Sequence, residues 1–285
     1  MTLSTKTFIA SDEHNGFGVT STLIMGENDA ILVDAQFTLS NAHRLLAEII
    51  ESKKNITSIF ITHLHPDHYL GLEVIKAKYP DAKVISYKEI ANDINQAYDF
   101  KIKYWGIDTL KENGAKNKFE INEIKEKTLQ LEGEEIIILD PMGGDCIEIT
   151  PLWIPSISTL IASDVIFSDV HVWIADMRTP ERINKWMKSL DDLEKLKAKI
   201  IIPGHARVNS SFSPASISFT RTYINDFLKV LKETNNSKDV INEMDRIYPG
   251  LPIRICLEYS ARILKDKYEW AGDWPESLRE LKSSL

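Results

Sequence analysis

The sequence predicts an α/β fold in which helices pack over sheets, and three observations predict it. Strand-like and helix-like segments alternate between residues 18 and 206, the rhythm of helices covering sheets. The two halves of the chain share that rhythm, and each sends a strand into a histidine-bearing loop. Finally, 43% hydrophobic against 27% charged residues over 285 positions is enough apolar side chain to build a substantial core.

In chain order, Gly18–Met25 and Ala30–Asp34 read as strands joined by a Gly-Glu-Asn-Asp turn. Ser40 is positioned to cap a helix running to Ser52, on which Ala42, Leu45, Leu46, Ile49 and Ile50 form an apolar stripe. The strand Ser58–Thr62 leads directly into a histidine cluster. A helix near Gly71–Lys78 precedes a short strand, Lys83–Ser86. Residues 87–130 break the rhythm and read as a helical insertion. Its aromatics, Tyr98, Phe100, Tyr104 and Trp105, either form a small core of their own or line a substrate pocket as a lid. Strands follow at Glu134–Leu139, within Ile147–Ile154 and at Thr159–Ser163. Thr179-Pro180 opens a helix as cap and first helical residue. Strand Lys199–Ile202 ends at Pro203-Gly204-His205, and a helix bearing Phe219, Tyr223, Phe227 and Leu231 comes next. A helical, more polar extension occupies residues 238–285. The whole chain, 1–285, reads as one domain.

The net charge of −8, with no Lys/Arg-dense run, argues against nucleic acid or an anionic membrane as partner. No apolar run reaches membrane-spanning length, and residues 1–10 lack the apolar stretch of a secretory signal. Cys146 and Cys256 are therefore expected as buried thiols, and the expected compartment is the cytoplasm. The expected partner is a small-molecule substrate, with a homo-oligomer left open.

The chemistry concentrates in His63-Leu64-His65-Pro66-Asp67-His68. Imidazoles and a carboxylate at this density are natural ligands for zinc and other borderline divalent cations. His63 and His65, two apart after a strand, can point the same way. Asp67 and His68 fall on a following turn and can face a second, neighbouring ion. His43 sits on a helix and reads as solvated. His14, beside Gly16 and Gly18, is a weaker candidate for the cleft rim.

The HxHxDH cluster resembles the signature of metallo-β-lactamase fold hydrolases. Ile31-Leu32-Val33-Asp34, Leu160-Ile161-Ala162-Ser163-Asp164 and Ile202-Pro203-Gly204-His205 are similar to that family's other anchors, in the same order. The resemblance implies a four-layer αββα sandwich. It implies a first metal held by His63 and His65, a second held by Asp67, His68 and His205, and Asp164 bridging both. It sets Asp34 beside the site, where a carboxylate orients a ligand imidazole. One or two zinc ions are implied, with manganese or iron as alternatives.

One anchor departs from the family. Its usual third histidine for the first metal is missing: Asp140-Pro141-Met142-Gly143-Gly144-Asp145-Cys146 stands there, with Gly143 at the expected position. Asp145 could supply a replacement oxygen ligand, the second metal could be held alone, or the scaffold could survive without catalysis. Cys146 reads as a small buried hydrophobe. His171 could touch substrate or donate a proton to a leaving group, or be an ordinary loop histidine.

The activity implied is metal-assisted hydrolysis: metal-bound hydroxide attacks an ester, lactone, thioester or amide carbonyl, with Asp67 orienting the nucleophile. The arrangement looks most similar to lactonase-like members. The alternative is a metal- or ligand-binding scaffold of the same fold.

Overall fold

In the computed structural model of the chain, two β-sheets pack face to face and helices cover their outer surfaces. Residues 2–11 and 15–272 are described. His14, and residues 273–285 of the expected helical extension, lie outside the described residues.

The first sheet has the order β1-β2-β3-β4-β5-β6. Its strands are β1 (Ser4–Ile9), β2 (Thr20–Met25), β3 (Asp29–Val33), β4 (Asn55–Phe60), β5 (Lys83–Tyr87) and β6 (Asn122–Ile124). The first three pair antiparallel and the rest parallel. The second sheet has the order β11-β10-β9-β8-β7. It comprises β7 (Thr128–Leu131), β8 (Glu134–Ile138), β9 (Leu152–Ile154), β10 (Thr159–Ser168) and β11 (Ile200–Ala206). Only β10 and β11 pair in parallel there.

Alternation along the strands divides the core. On β3, Ile31 and Val33 face the opposite sheet, where they meet residues such as Ile136, Leu152 and Ile161. Ala30 and Leu32 face the helices. Burying each such large aliphatic side chain contributes roughly 1.5–3 kcal/mol. The helices are α1 (Leu39–Ser52), α2 (Leu72–Lys78), α3 (Lys88–Lys101), α4 (Pro180–Glu194), α5 (Ala215–Glu233), α6 (Ser237–Ile247) and α7 (Arg254–Asp266).

Several boundaries differ from expectation, each for a local reason. The cap of α1 is Thr38, whose extended backbone frees its hydroxyl to accept from Asn41 N, whereas the N–H of Ser40 is taken by Asn113 Oδ1. Strand β4 ends before Thr62, because Asp34 Oδ1 captures the Thr62 N–H and turns the chain into the histidine loop. Most of 147–154 is loop, and only Leu152–Ile154 pairs as a strand. The segment expected as a helical insertion holds α3 and a π-helical stretch, Ile102–Thr109. Its last residues form β6 and β7, which complete one edge of each sheet. No helix among the described residues is long and apolar enough to cross a membrane.

Candidate metal centre

The histidine loop leaves β4 and closes into a short 3-10 turn at Pro66–His68. It is tied from both sides: Thr150 N donates to Thr62 O, and the Thr62 hydroxyl lies 2.9 Å from Asp34 Oδ2 and 2.8 Å from Ser163 Oγ. Across the sheet interface, β10 kinks at Ser163, which adopts φ +48, and its register with β11 shifts around that residue. Asp164 is fully buried there. Gly204 on β11 is obligatory for this approach, since a Cβ at that position would sit 1.7 Å from Asp164 Oδ1.

These loops bring seven sequence-nominated residues into two adjacent donor groups. His63, His65, Asp145 and Asp164 form one, and Asp67, His68 and His205 the other; within each, the potential ligand atoms lie within 4.8 Å of one another. Asp164 stands between them. Its Oδ2 is 3.4 Å from His63 Nε2 and 3.1 Å from His205 Nε2, and its Oδ1 is 3.2 Å from His68 Nε2. Asp145 Oδ2 lies 3.3 Å from His65 Nδ1. Asp67 Oδ2 lies 3.4 Å from His205 Nε2 and 3.7 Å from His68 Nε2.

The outward ring nitrogens are fixed from behind. His68 Nδ1 is 2.8 Å from Asp34 Oδ2, and His205 Nδ1 is 2.7 Å from the carbonyl of Phe17. Both partners only accept, so Nδ1 carries the proton and Nε2 turns its lone pair inward, the tautomer a ligating imidazole needs. Asp34 reaches its position in the left-handed region, at φ +60. The inward atoms include buried orphans: His63 Nε2, His68 Nε2 and Asp145 Oδ1 have no hydrogen-bond partner. A cation held by each group would give these atoms a partner, so the residues present fit a metal.

Electrostatics point the same way. Burial, reinforced by the charge of Asp164, pushes the Asp145 carboxyl up to about 8. Burial lowers His63 to about 4, more than Asp164 offsets. For His68, burial acts downward, yet the carboxylates of Asp164, Asp34 and Asp67 outweigh it and raise the ring well above its usual range. Asp164 is held well below the carboxylate range: burial opposes this, but three imidazoles prevail. Burial also opposes charge on His65, and Asp145 with Asp176 overcomes it. A divalent cation rewards the deprotonated form of every one of these donors.

Asp176 was not legible in the sequence. Its Oδ2 lies 3.4 Å from His65 Nε2 and accepts from Trp173 Nε1 at 2.8 Å. The only signal was an isolated aspartate in a loop. His171 lies apart from the donor cluster and is not among the residues that line the cleft. Its ring is buried against α5, with Nδ1 2.8 Å from Tyr223 Oη, and its N–H donates to Pro252 O. His43 is exposed on α1. Cys146 and Cys256 are buried and not joined in a disulfide.

The cluster opens into a cavity of about 150 Å³. His65, Asp67, Asp145 and His205 form its reactive side, and Phe37, Trp105, Trp173, Tyr259 and Trp270 its apolar side.

A two-sheet αββα sandwich with histidine and aspartate donors collected at the strand ends defines a metallohydrolase-type fold. The chain belongs to the Metallo-beta-lactamase superfamily, whose sequence profile matches residues 14–205. It is similar in structure to a metallo-beta-lactamase family protein from Thermus thermophilus, with TM-score 0.64 and 15% identity over 98% of this chain and 94% of that one. A beta-lactamase domain protein from Burkholderia ambifaria matches with TM-score 0.64 and 13% identity, over 92% of this chain and 84% of that one. At these identities the likeness concerns the fold. In sequence, the hydroxyacylglutathione hydrolase of Actinobacillus pleuropneumoniae serotype 5b (strain L20) is 36% identical over 73 residues, which are 26% of this chain and 29% of that enzyme. The match thus spans under a third of the relative's length.

Proposed function

We propose that the chain is a metal-dependent hydrolase acting on the carbonyl of a small ester, lactone, thioester or amide. One observation carries this reading: two donor groups, with Asp164 between them, open into a single cleft. His63, His65, Asp145 and Asp164 would hold a first ion, with Asp145 in place of the family's third histidine. Asp67, His68 and His205, with Asp164, would hold a second. Nitrogen and oxygen donors of this kind suit zinc, and the extra carboxylate also suits manganese or iron. When bound, such ions lower the pKa of coordinated water towards neutrality and polarise a carbonyl oxygen.

The chain's own residues do the rest. Asp34 and the carbonyl of Phe17 hold His68 and His205 in the ligating tautomer. Asp67, partly exposed on the cleft, is placed to orient the attacking water and accept its proton at Oδ2. The aromatic side of the cleft binds the substrate's apolar portion and excludes water from the reacting carbonyl.

The test is metal analysis of purified protein, followed by a panel of esters, lactones and thioesters with and without chelator. The activity of the relatives adds hydroxyacylglutathione to that panel. Turnover abolished by chelator and restored by metal is the expected result. Stoichiometric metal without chelator-sensitive turnover would instead identify a binding scaffold, a reading that the missing third histidine keeps in play.

A further inference from the structure

We propose that Asp176 is a positioning residue of the metal centre. It accepts the Nε2 proton of His65, so that Nδ1 of that ring faces the donor cluster, and it is itself held by the indole of Trp173 in the cleft wall. This assignment rests on the metal centre proposed above, not on the hydrolysis.

The ring of His65 lies between two carboxylates. Its Nδ1 is 3.3 Å from Asp145 Oδ2, and its Nε2 is 3.4 Å from Asp176 Oδ2. The two carboxylates are not equivalent. Asp145 belongs to the set of donor atoms that converge within 4.8 Å, together with His63, His65 and Asp164, whereas Asp176 belongs to neither donor group. The ring edge bearing Nδ1 therefore faces the cluster, and the edge bearing Nε2 faces away from it. A ligating imidazole is neutral and carries a single proton, so ligation through Nδ1 leaves that proton on Nε2. An ionised carboxylate only accepts, and Asp176 is the carboxylate at that nitrogen. His65 is thus mounted in the opposite sense to His68 and His205, whose Nδ1 atoms are backed by Asp34 and by the Phe17 carbonyl.

An orienting group works only where its own position is fixed, and the loop carrying Asp176 is fastened at three points. Trp173 Nε1 donates to the same Oδ2 at 2.8 Å. Arg182 Nη1 donates to the Asp176 backbone carbonyl at 2.8 Å. Two residues earlier, Ile174 N donates to Ser260 Oγ on α7 at 2.9 Å. Trp173 is set in turn by its neighbours: its ring stacks with Tyr259 at 6.2 Å between centroids and meets Trp270 edge-on at 5.5 Å. Trp173, Tyr259 and Trp270 all line the cleft. A single oxygen, Asp176 Oδ2, therefore joins the aromatic wall to a ligand imidazole.

The test reads zinc affinity and proton position, not turnover. The full chain is loaded with zinc, and its isotope-labelled histidines are followed in proton–nitrogen correlation spectra. The parent is expected to show His65 as the Nε2–H tautomer with its proton protected from exchange, the signal being assigned by its loss in His65→Gln. Asp176→Ala should weaken zinc binding by about 10- to 100-fold and release that proton to rapid exchange. Asp176→Asn keeps an acceptor oxygen and should retain the proton signal, with a loss of about tenfold or less. Trp173→Phe keeps a ring but removes the donor, and should lower affinity by about two- to fivefold.

Circular dichroism verifies the fold of each variant. Should Asp176→Ala fail to fold, the parent tautomer and Asp176→Asn decide. An Nδ1–H tautomer of His65 in the zinc-loaded parent would overturn the assignment. So would parental affinity and proton exchange in Asp176→Ala, or a loss in Asp176→Asn as large as that in Asp176→Ala. Zinc bound without turnover of any carbonyl substrate would sink the hydrolase reading and leave this one standing. A His65 proton indifferent to Asp176 in an active enzyme would sink this one alone, and a parent that binds no zinc would sink both.

Discussion

Asp145 Oδ2 lies 3.3 Å from Nδ1 of His65. In the proposed metal site Asp145 would take the place of the family's third histidine, exchanging a neutral imidazole for an anionic, harder oxygen donor. Together with Asp164 it makes a set of two imidazoles and two carboxylates, which shifts preference towards oxygen-seeking divalent ions relative to a three-histidine site.

Asp145→Ala is therefore expected to weaken metal binding at that group by about one to two orders of magnitude, the scale seen when a metal's ligand shell is damaged. Chelator competition followed by elemental analysis reads this directly. Full occupancy at unchanged affinity would remove Asp145 from the ligand set.

Asp34→Asn should lower metal affinity or activity by about 10- to 100-fold. Asparagine tolerates the positive φ at this position, but it leaves one oxygen to serve the Thr62 N–H, the Thr62 hydroxyl and His68 Nδ1. An unchanged circular dichroism spectrum with reduced metal affinity is the expected pair of results. Unaltered affinity would show that His68 needs no carboxylate behind it.

Gly204→Ala should destabilise the fold and disrupt the donor cluster together. The added methyl would stand 1.7 Å from Asp164 Oδ1 and 2.6 Å from its backbone nitrogen, so rotating the side chain alone gives no relief. Overpacking of this kind costs about 1–3 kcal/mol or more, several degrees in melting temperature. A variant with parental melting temperature and metal content would show that β10 and β11 can separate at no cost.

His171 supplies a pH test away from the metal centre. Burial lowers its pKa from 6.5 to about 4, with Asp245 opposing. Above pH 6.5 the ring is neutral folded and unfolded, and stability is intact. Between pH 6.5 and about 4 the unfolded chain takes up a proton that the folded ring refuses, and stability falls by on the order of 2–3 kcal/mol. His171→Gln should flatten that portion of the acid limb. The difference between the two denaturation profiles isolates His171, because the other titrating groups are common to both. Parallel profiles would exclude it.

Legibility in the sequence followed contiguity. His63, His65, Asp67 and His68 share one loop and one spacing, so they could be read directly. Asp164 and His205 could be read because each follows an apolar run in the order of the family's anchors, although β10 and β11 continue past them to Ser168 and Ala206. Asp145 was legible through an absence, since no histidine stands between His68 and His171. Asp176 carries no local pattern, and what makes it matter is its contact with His65, distant in the chain. His171 follows Asp164 closely along the chain yet stands apart from the cluster, with its N–H bonded to Pro252 and its ring to Tyr223. Strand β1 escaped because its residues are exposed or half-buried, leaving no apolar alternation to detect.

The helical segment carrying Lys101 and Trp105 departs from β5 and returns to β6, two strands that pair with each other in parallel. Its ends are thereby stapled to one edge of the scaffold, while the histidines and aspartates hang from other strand termini. The aromatic wall that Trp105 lends to the cleft thus enters from one edge of the scaffold, apart from the strands that carry the donor cluster.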